Sequence, residues 1–159
     1  MAKDLKPEIA IIGGCGHVGL PLGLAFANIG KHVVAIDINE EKVKQTNQGK
    51  MPFHDRGADE LLQKVLKEKS FYCTTDQTEL KHVDTIISVT GTPVDEHLNP
   101  RLDDIHNALL SYSTYFNSKQ LLILRSTIYP GTTQHIFDEL KKRELNMDVA
   151  FCPERVAEG

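Results

Sequence analysis

A run of four apolar residues, Ile9-Ala10-Ile11-Ile12, breaks at Gly13 and leads into Gly14-Cys15-Gly16-His17-Val18-Gly19. No other stretch restricts the fold as strongly. GxGxxG spacing directly after a β-branched run and ahead of a helical period has a steric meaning. One glycine makes a tight turn, the next lets the backbone approach a diphosphate, and the third lets helix and strand pack closely. A helix over 18–29, closed by Gly30, would offer unpaired N–H groups and the positive end of its dipole to phosphates. An acid completes the pattern. Asp37 closes the second apolar run, 18 residues after Gly19, where a carboxylate accepts hydrogen bonds from ribose hydroxyls. Ile38 and Asn39 follow it rather than an arginine, which favours NAD over NADP, whose 2′-phosphate an acid repels.

The rest of the chain alternates strand-length apolar runs, at 32–36, 71–74, 83–89, 121–124 and 149–152, with helical periods at 40–48, 58–69, 103–116 and 132–143. Runs without polar alternation imply strands covered on both faces. The reading is a single α/β domain: a Rossmann-like, doubly wound parallel sheet of about six strands, helices on both faces, in the order 3-2-1-4-5-6. That order gathers Thr90-Gly91-Thr92-Pro93, the segment 125–132 and the segment 152–159 at the carboxyl edge, beside the glycine loop. Thr92 and Thr127 read as functional there, and Thr132 or Thr133 as a hydroxyl N-cap.

Composition removes other classes. Eighteen basic against 22 acidic residues give a net charge of −4 without a basic stripe, which argues against nucleic acid. No apolar run approaches the roughly 18–20 residues of a membrane span, and the polar start does not read as a signal peptide. Three cysteines (Cys15, Cys73, Cys152) without a CxxC pair fit a reducing cytoplasm better than a disulfide framework. Cys15 reads as tolerated for its small size, and the other two as packing in or near strands. His17 is expected to face solvent, the other histidines lack ligand spacing, and no metal is expected.

Rival readings use some of the same residues. Gly13, Gly16 and Gly19 also spell the GxxGxxG loop of extended short-chain dehydrogenases, and Tyr115 with Lys119 mimics their catalytic pair. In that family, however, the catalytic hydroxyl precedes the tyrosine, whereas Ser126-Thr127 follows it; Tyr115 reads as structural. A methyltransferase would carry an acid ahead of the first glycine, where Ile11-Ile12 stand. A stand-alone NAD-binding module without catalysis stays open.

In their order, the glycine loop, the Thr90-Gly91-Thr92-Pro93 turn, Ser126-Thr127-Ile128-Tyr129-Pro130-Gly131-Thr132-Thr133 and Phe151-Cys152-Pro153-Glu154-Arg155-Val156-Ala157-Glu158-Gly159 resemble the UDP-glucose/GDP-mannose dehydrogenase family over its N-terminal NAD-binding domain. The resemblance implies an NAD-dependent, four-electron oxidation of a sugar-nucleotide C6 alcohol to the uronic acid, in polysaccharide biosynthesis. It places 1–159 short of the family's central helix, catalytic cysteine and UDP-binding domain, so this stretch alone is expected to be inactive; the full-length protein is expected to be a homodimer. By position, Gly14, Cys15, Gly16, His17, Val18 and Gly19 would hold the pyrophosphate, Asp37 the ribose, and Lys42 would add a basic contact. Thr92 and Thr127 would line the nicotinamide, with Thr127 also orienting a catalytic water. Glu154 resembles the acid/base carboxylate of thioester hydrolysis, and Glu158, one helical turn on, would reach the cofactor. Glu154, Arg155 and Val156 would meet the substrate. Arg155 in a Pro-Glu-Arg triplet is similar to members acting on UDP-N-acetyl-D-mannosamine; UDP-glucose is the alternative. Three features depart from the family pattern: the extra Gly13, Arg125 in place of an acid, and Asp55-Arg56-Gly57-Ala58.

Overall fold

The computed structural model describes residues 6–55, 57–90 and 102–153. Six parallel strands form one sheet in the order β3-β2-β1-β4-β5-β6: β1 Ile9–Ile12, β2 Val33–Ile36, β3 Phe71–Thr74, β4 Thr85–Ser88, β5 Leu121–Leu124 and β6 Asp148–Phe151. Among the described residues five α-helices lie between the strands: α1 Gly19–Asn28, α2 Glu40–Asn47, α3 Ala58–Lys67, α4 Leu102–Ser111 and α5 Thr132–Lys142. The doubly wound sheet expected from the apolar runs is present, strand order included.

The period of two along each strand divides the core into layers. Ile9 and Ile11 of β1 with Val33 and Ala35 of β2 face one layer, where Leu20 and Leu24 of α1 and Leu62 and Val65 of α3 pack. Ala10 and Ile12 with Val34 and Ile36 face the opposite layer, against Leu109 of α4 and Ile136 and Leu140 of α5. The strand order reverses between the parallel neighbours β1 and β4, so the connections leaving their carboxyl ends run to opposite sides and open the crevice where α/β sheets take their ligands.

Helix ends follow local chemistry. Gly30 closes α1 at φ +90, with Gly30 N–H donating to Ala27 O (3.0 Å) and Lys31 N–H to Phe26 O (3.1 Å). The helix expected over 103–116 gives way to a 3-10 turn at Tyr112–Tyr115. There the Ser111 and Ser113 hydroxyls donate to carbonyls three residues back (2.6 Å each), which tightens the winding. A further 3-10 helix, Gln77–His82, was not expected, although Asp76 and Glu79 carry a capping signal; Thr78 N–H donates to Asp76 Oδ1 at 2.9 Å. The hydroxyl cap expected of Thr132 or Thr133 is absent. Gly131 holds the N-cap of α5 at φ +91 with no side-chain cap bond, and Thr132 is buried as the first helical residue. No helix among the described residues is long and apolar enough to cross a membrane.

Tyr115 lies six residues before β5, at the amino edge of the sheet and opposite the glycine loop. It packs against the core with Lys81 Nζ 5.5 Å from its ring centroid. Tyr115→Phe is therefore expected to leave NAD affinity within about twofold of the parent by calorimetry, since only a rim hydroxyl is lost.

Candidate functional site

The loop between β1 and α1 divides its glycines in a way the spacing alone does not show. The left-handed turn belongs to Gly13, at φ +80, the residue outside the GxGxxG. Gly14 is a packing glycine: a Cβ there would lie 2.6 Å from Ala35 Cβ and 2.8 Å from Ile11 O. Gly19 seats α1 on the loop, since its Cβ would lie 2.5 Å from Gly13 O and 2.9 Å from a Val89 methyl. Gly16 is different. Its Cβ would meet only Gly13 O, at 3.4 Å, so the protein itself leaves room there.

The loop's N–H groups divide in the same way. Gly13 and Gly14 donate to Ile36 O (2.9 and 3.1 Å), and Gly16 donates to Gly13 O at 3.2 Å. The amides of His17, Val18 and Gly19 have no acceptor among the described residues. Val18, the N-cap of α1, supplies no side-chain acceptor, and no acid stands in the first turn. At α2, by contrast, Asn39 Oδ1 accepts from Lys42 N–H at 3.0 Å and Glu40 and Glu41 face the dipole. The start of α1 thus holds the donors and partial positive charge that an external anion satisfies.

Asp37 follows β2 directly and fastens the loop to it. Its Oδ2 accepts from Cys15 N–H and its Oδ1 from Asn39 N–H, both at 3.0 Å, while its own N–H donates to Thr74 O at 3.1 Å. Each carboxylate oxygen keeps a lone pair for a further donor, so the group is already oriented for a vicinal diol. Lys42, half-buried on α2, stands within electrostatic reach of Cys15. These groups fit a dinucleotide: bare amides and an open glycine for the diphosphate, and a pinned carboxylate for the ribose.

The carboxyl ends of β4, β5 and β6 are also laced together. Ser126 Oγ donates to Thr90 O at 2.5 Å, Ser88 and Thr90 hydroxyls meet at 3.2 Å, and Arg125 Nη1 donates to Cys152 Sγ at 3.4 Å. Thr127 is exposed on this edge. Thr92, Glu154, Arg155, Val156 and Glu158 lie outside the described residues. Among the described residues no cluster of three or more His, Cys, Asp or Glu side chains is placed to hold a metal ion.

Sequence reading missed several partners. His17 is exposed, as expected, but its ring stacks on Phe53 with centroids 4.1 Å apart and planes at 28°, bridging the glycine loop to the segment after α2. The Arg125–Cys152 and Ser126–Thr90 bonds were equally invisible, because nothing in spacing links residues tens of positions apart.

Comparison with known proteins agrees with this geometry. The model of the UDP-glucose/GDP-mannose dehydrogenase family, NAD binding domain, matches residues 7–159. A UDP-N-acetyl-D-mannosamine dehydrogenase of Methanococcus aeolicus is 32% identical over 99% of this chain, and the match covers 36% of that relative. A UDP-glucose 6-dehydrogenase of Rickettsia conorii is 29% identical over 92% of this chain and 34% of its own length. Among solved structures, a UDP-D-ManNAc dehydrogenase from Pyrococcus horikoshii superposes with a TM-score of 0.84 at 30% identity, over 95% of this chain and 37% of its own. The chain therefore spans about a third of the length of the relatives it matches.

Proposed function

The chain belongs to the UDP-glucose/GDP-mannose dehydrogenase family and its cofactor is NAD; from that premise we propose that it is the cofactor domain of a nucleotide-sugar 6-dehydrogenase whose substrate is UDP-N-acetyl-D-mannosamine. The observation that carries the reading is the uncapped start of α1, with three unpartnered amides beside a carboxylate already pinned toward a diol. The amides from His17 to Gly19 bind the pyrophosphate over the space at Gly16. Asp37 accepts from the adenosine ribose, and Lys42 adds positive charge at the same end. NAD, when bound, accepts the hydride lost from the sugar C6. Thr92 and Thr127 line the nicotinamide side, and Thr127 holds a water in line for hydrolysis. Glu154 moves the proton of that water, Glu158 reaches the cofactor, and Arg155 and Val156 meet the sugar nucleotide.

The Pro153-Glu154-Arg155 triplet supports the N-acetylated sugar, as does the naming of the relatives from Methanococcus and Pyrococcus. UDP-glucose is the second reading, favoured by the Rickettsia relative. A cytoplasmic homodimer of the whole protein completes the proposal. The test has two arms. Calorimetry of the 159-residue chain is expected to show NAD binding, with no NADH formed from any UDP-sugar. The whole protein carrying this domain, assayed with NAD against a panel of UDP-sugars, is expected to show its highest kcat/KM with UDP-N-acetyl-D-mannosamine. A preference for UDP-glucose would overturn the sugar assignment, and absence of NAD binding would overturn the site.

A further inference from the structure

Of the side chains that the glycine loop carries, Cys15 is buried, Val18 is half-buried at the start of α1, and His17 is exposed. The His17 imidazole nevertheless lies face to face with Phe53, with centroids 4.1 Å apart and planes at 28°. Phe53 is a fixed platform. The segment that carries it leaves α2 through Gly49, at φ +78, with Gly49 N–H donating to Thr46 O at 2.9 Å and Lys50 N–H to Gln45 O at 3.2 Å. Met51 is buried, and its N–H donates to Asp59 Oδ1 in the first turn of α3, at 3.1 Å. Ala58 N–H donates back to Asp55 O at 3.2 Å. The segment is tied to the helix on each side of it, and Phe53 itself packs against the apolar layer of α1 and α3.

The loop is fastened at its two ends. Cys15 N–H is held by Asp37 Oδ2 at 3.0 Å, and Gly19 packs tightly on Gly13 O. Between these points His17 offers an N–H with no acceptor among the described residues, and its ring is seated on Phe53. We propose that Phe53 is a positioning residue of the dinucleotide site: it seats the His17 imidazole and so keeps the bare amides at the start of α1 turned to the diphosphate. The proposal rests on the NAD reading above.

The effect is one of order in the free protein. Gly14 and Gly16 flank Cys15, and glycine has more backbone freedom to lose than any other residue. Without a seat for the His17 ring, the loop has further arrangements open to it, and only those with converging amides take a diphosphate. The measured dissociation constant is the intrinsic one divided by the fraction of competent loops. Stacked rings contribute beyond the area they bury, and an exposed imidazole adds little to the core. The stack therefore acts on affinity, through preorganisation, more than on stability.

The test is a double-mutant cycle read by NAD titration, with thermal melts alongside. Phe53→Leu keeps an apolar side chain against the α1–α3 layer and removes the ring; His17→Ala removes the other ring from an exposed position. Each is expected to raise the NAD Kd about tenfold, roughly 1.4 kcal/mol, as the competent fraction falls to about one loop in ten. The double variant is expected to stay within about twofold of either single one, because each deletes the same contact. Phe53→Tyr keeps an aromatic face and is expected to hold the Kd within about twofold of the parent. In the protein without nucleotide, the imidazole proton resonances that vanish in His17→Ala are expected upfield, under the Phe53 ring current, and to move back in Phe53→Leu. An unchanged Kd in either single variant, or losses that multiply to about 100-fold in the double one, would overturn the proposal and leave Phe53 a core residue only. A parent that binds no NAD takes down the cofactor reading and this proposal with it; a parent that binds NAD, with the same Kd after Phe53→Leu, takes down the positioning role alone.

Discussion

Gly16→Ala is expected to leave the fold intact and abolish tight NAD binding, whereas Gly14→Ala is expected to damage both. A methyl at Gly16 meets only Gly13 O at 3.4 Å, ordinary contact distance, and the backbone there does not need the left-handed region. The melting temperature should stay within about 1 °C of the parent, as for surface changes that touch nothing. In the proposed site the same methyl projects into the space for the diphosphate. Keeping the phosphate oxygens off the amides of His17 to Gly19 should raise the NAD Kd about 100-fold, or roughly 2.8 kcal/mol. A methyl at Gly14 overlaps Ala35 and Ile11 O at 2.6–2.8 Å, against backbone and a short side chain that cannot swing aside. Overpacking of this kind costs about 1–3 kcal/mol, roughly 2–12 °C in Tm for a domain of this size. Thermal melts and calorimetry on the two variants separate the glycine that packs from the glycine that leaves room. A Gly16→Ala protein binding NAD within threefold of the parent would refute the assignment of that space.

The difference between these glycines also marks where the sequence stops being informative. Strand runs bounded by polar residues were legible to the residue: β1, β3 and β5 begin and end where the apolar run does. Strand order followed from the strand-helix alternation together with the glycine loop, which point to a doubly wound dinucleotide-binding sheet. The run at 83–89 shortened to Thr85–Ser88: Val83 closes the 3-10 helix that precedes the strand, and Val89 follows its last paired residue, with its N–H donating to Ile12 O at 3.0 Å. The motif identified the loop and its acid but misassigned the turn, which falls on Gly13, outside the GxGxxG. Which glycine packs and which stays open depends on Ala35, a residue the loop meets only after folding. The His17–Phe53 stack is likewise a product of loop path. Spacing encodes periodicity along one element and carries no record of which loops converge.

Asp37→Ala is expected to lose both NAD affinity and the discrimination against NADP. In the parent, the carboxylate is fixed by Cys15 N–H and Asn39 N–H and keeps lone pairs for the ribose hydroxyls. Hydrogen bonds to a charged group contribute about 1.5–3 kcal/mol each. Removing the carboxylate deletes the proposed ribose bonds and also releases the loop at Cys15, so the NAD Kd should rise by about 30-fold or more. NADP responds in the opposite sense. Its 2′-phosphate carries about −1.5 to −2 charge and would lie beside the carboxylate, a repulsion of about 4 kcal/mol per pair of unit charges at 4 Å and an effective dielectric near 20. Alanine removes that repulsion, and Lys42 is then the charged side chain five residues away. The ratio of NADP to NAD dissociation constants, expected to exceed about 100 in the parent, should fall to within about tenfold of unity. Titrating both nucleotides into both proteins at one ionic strength measures the ratio directly. A variant that bound NAD more weakly yet still excluded NADP to the parent's degree would mean that some other group selects the cofactor, and Asp37 would then be a fastener of the loop rather than the reader of the ribose.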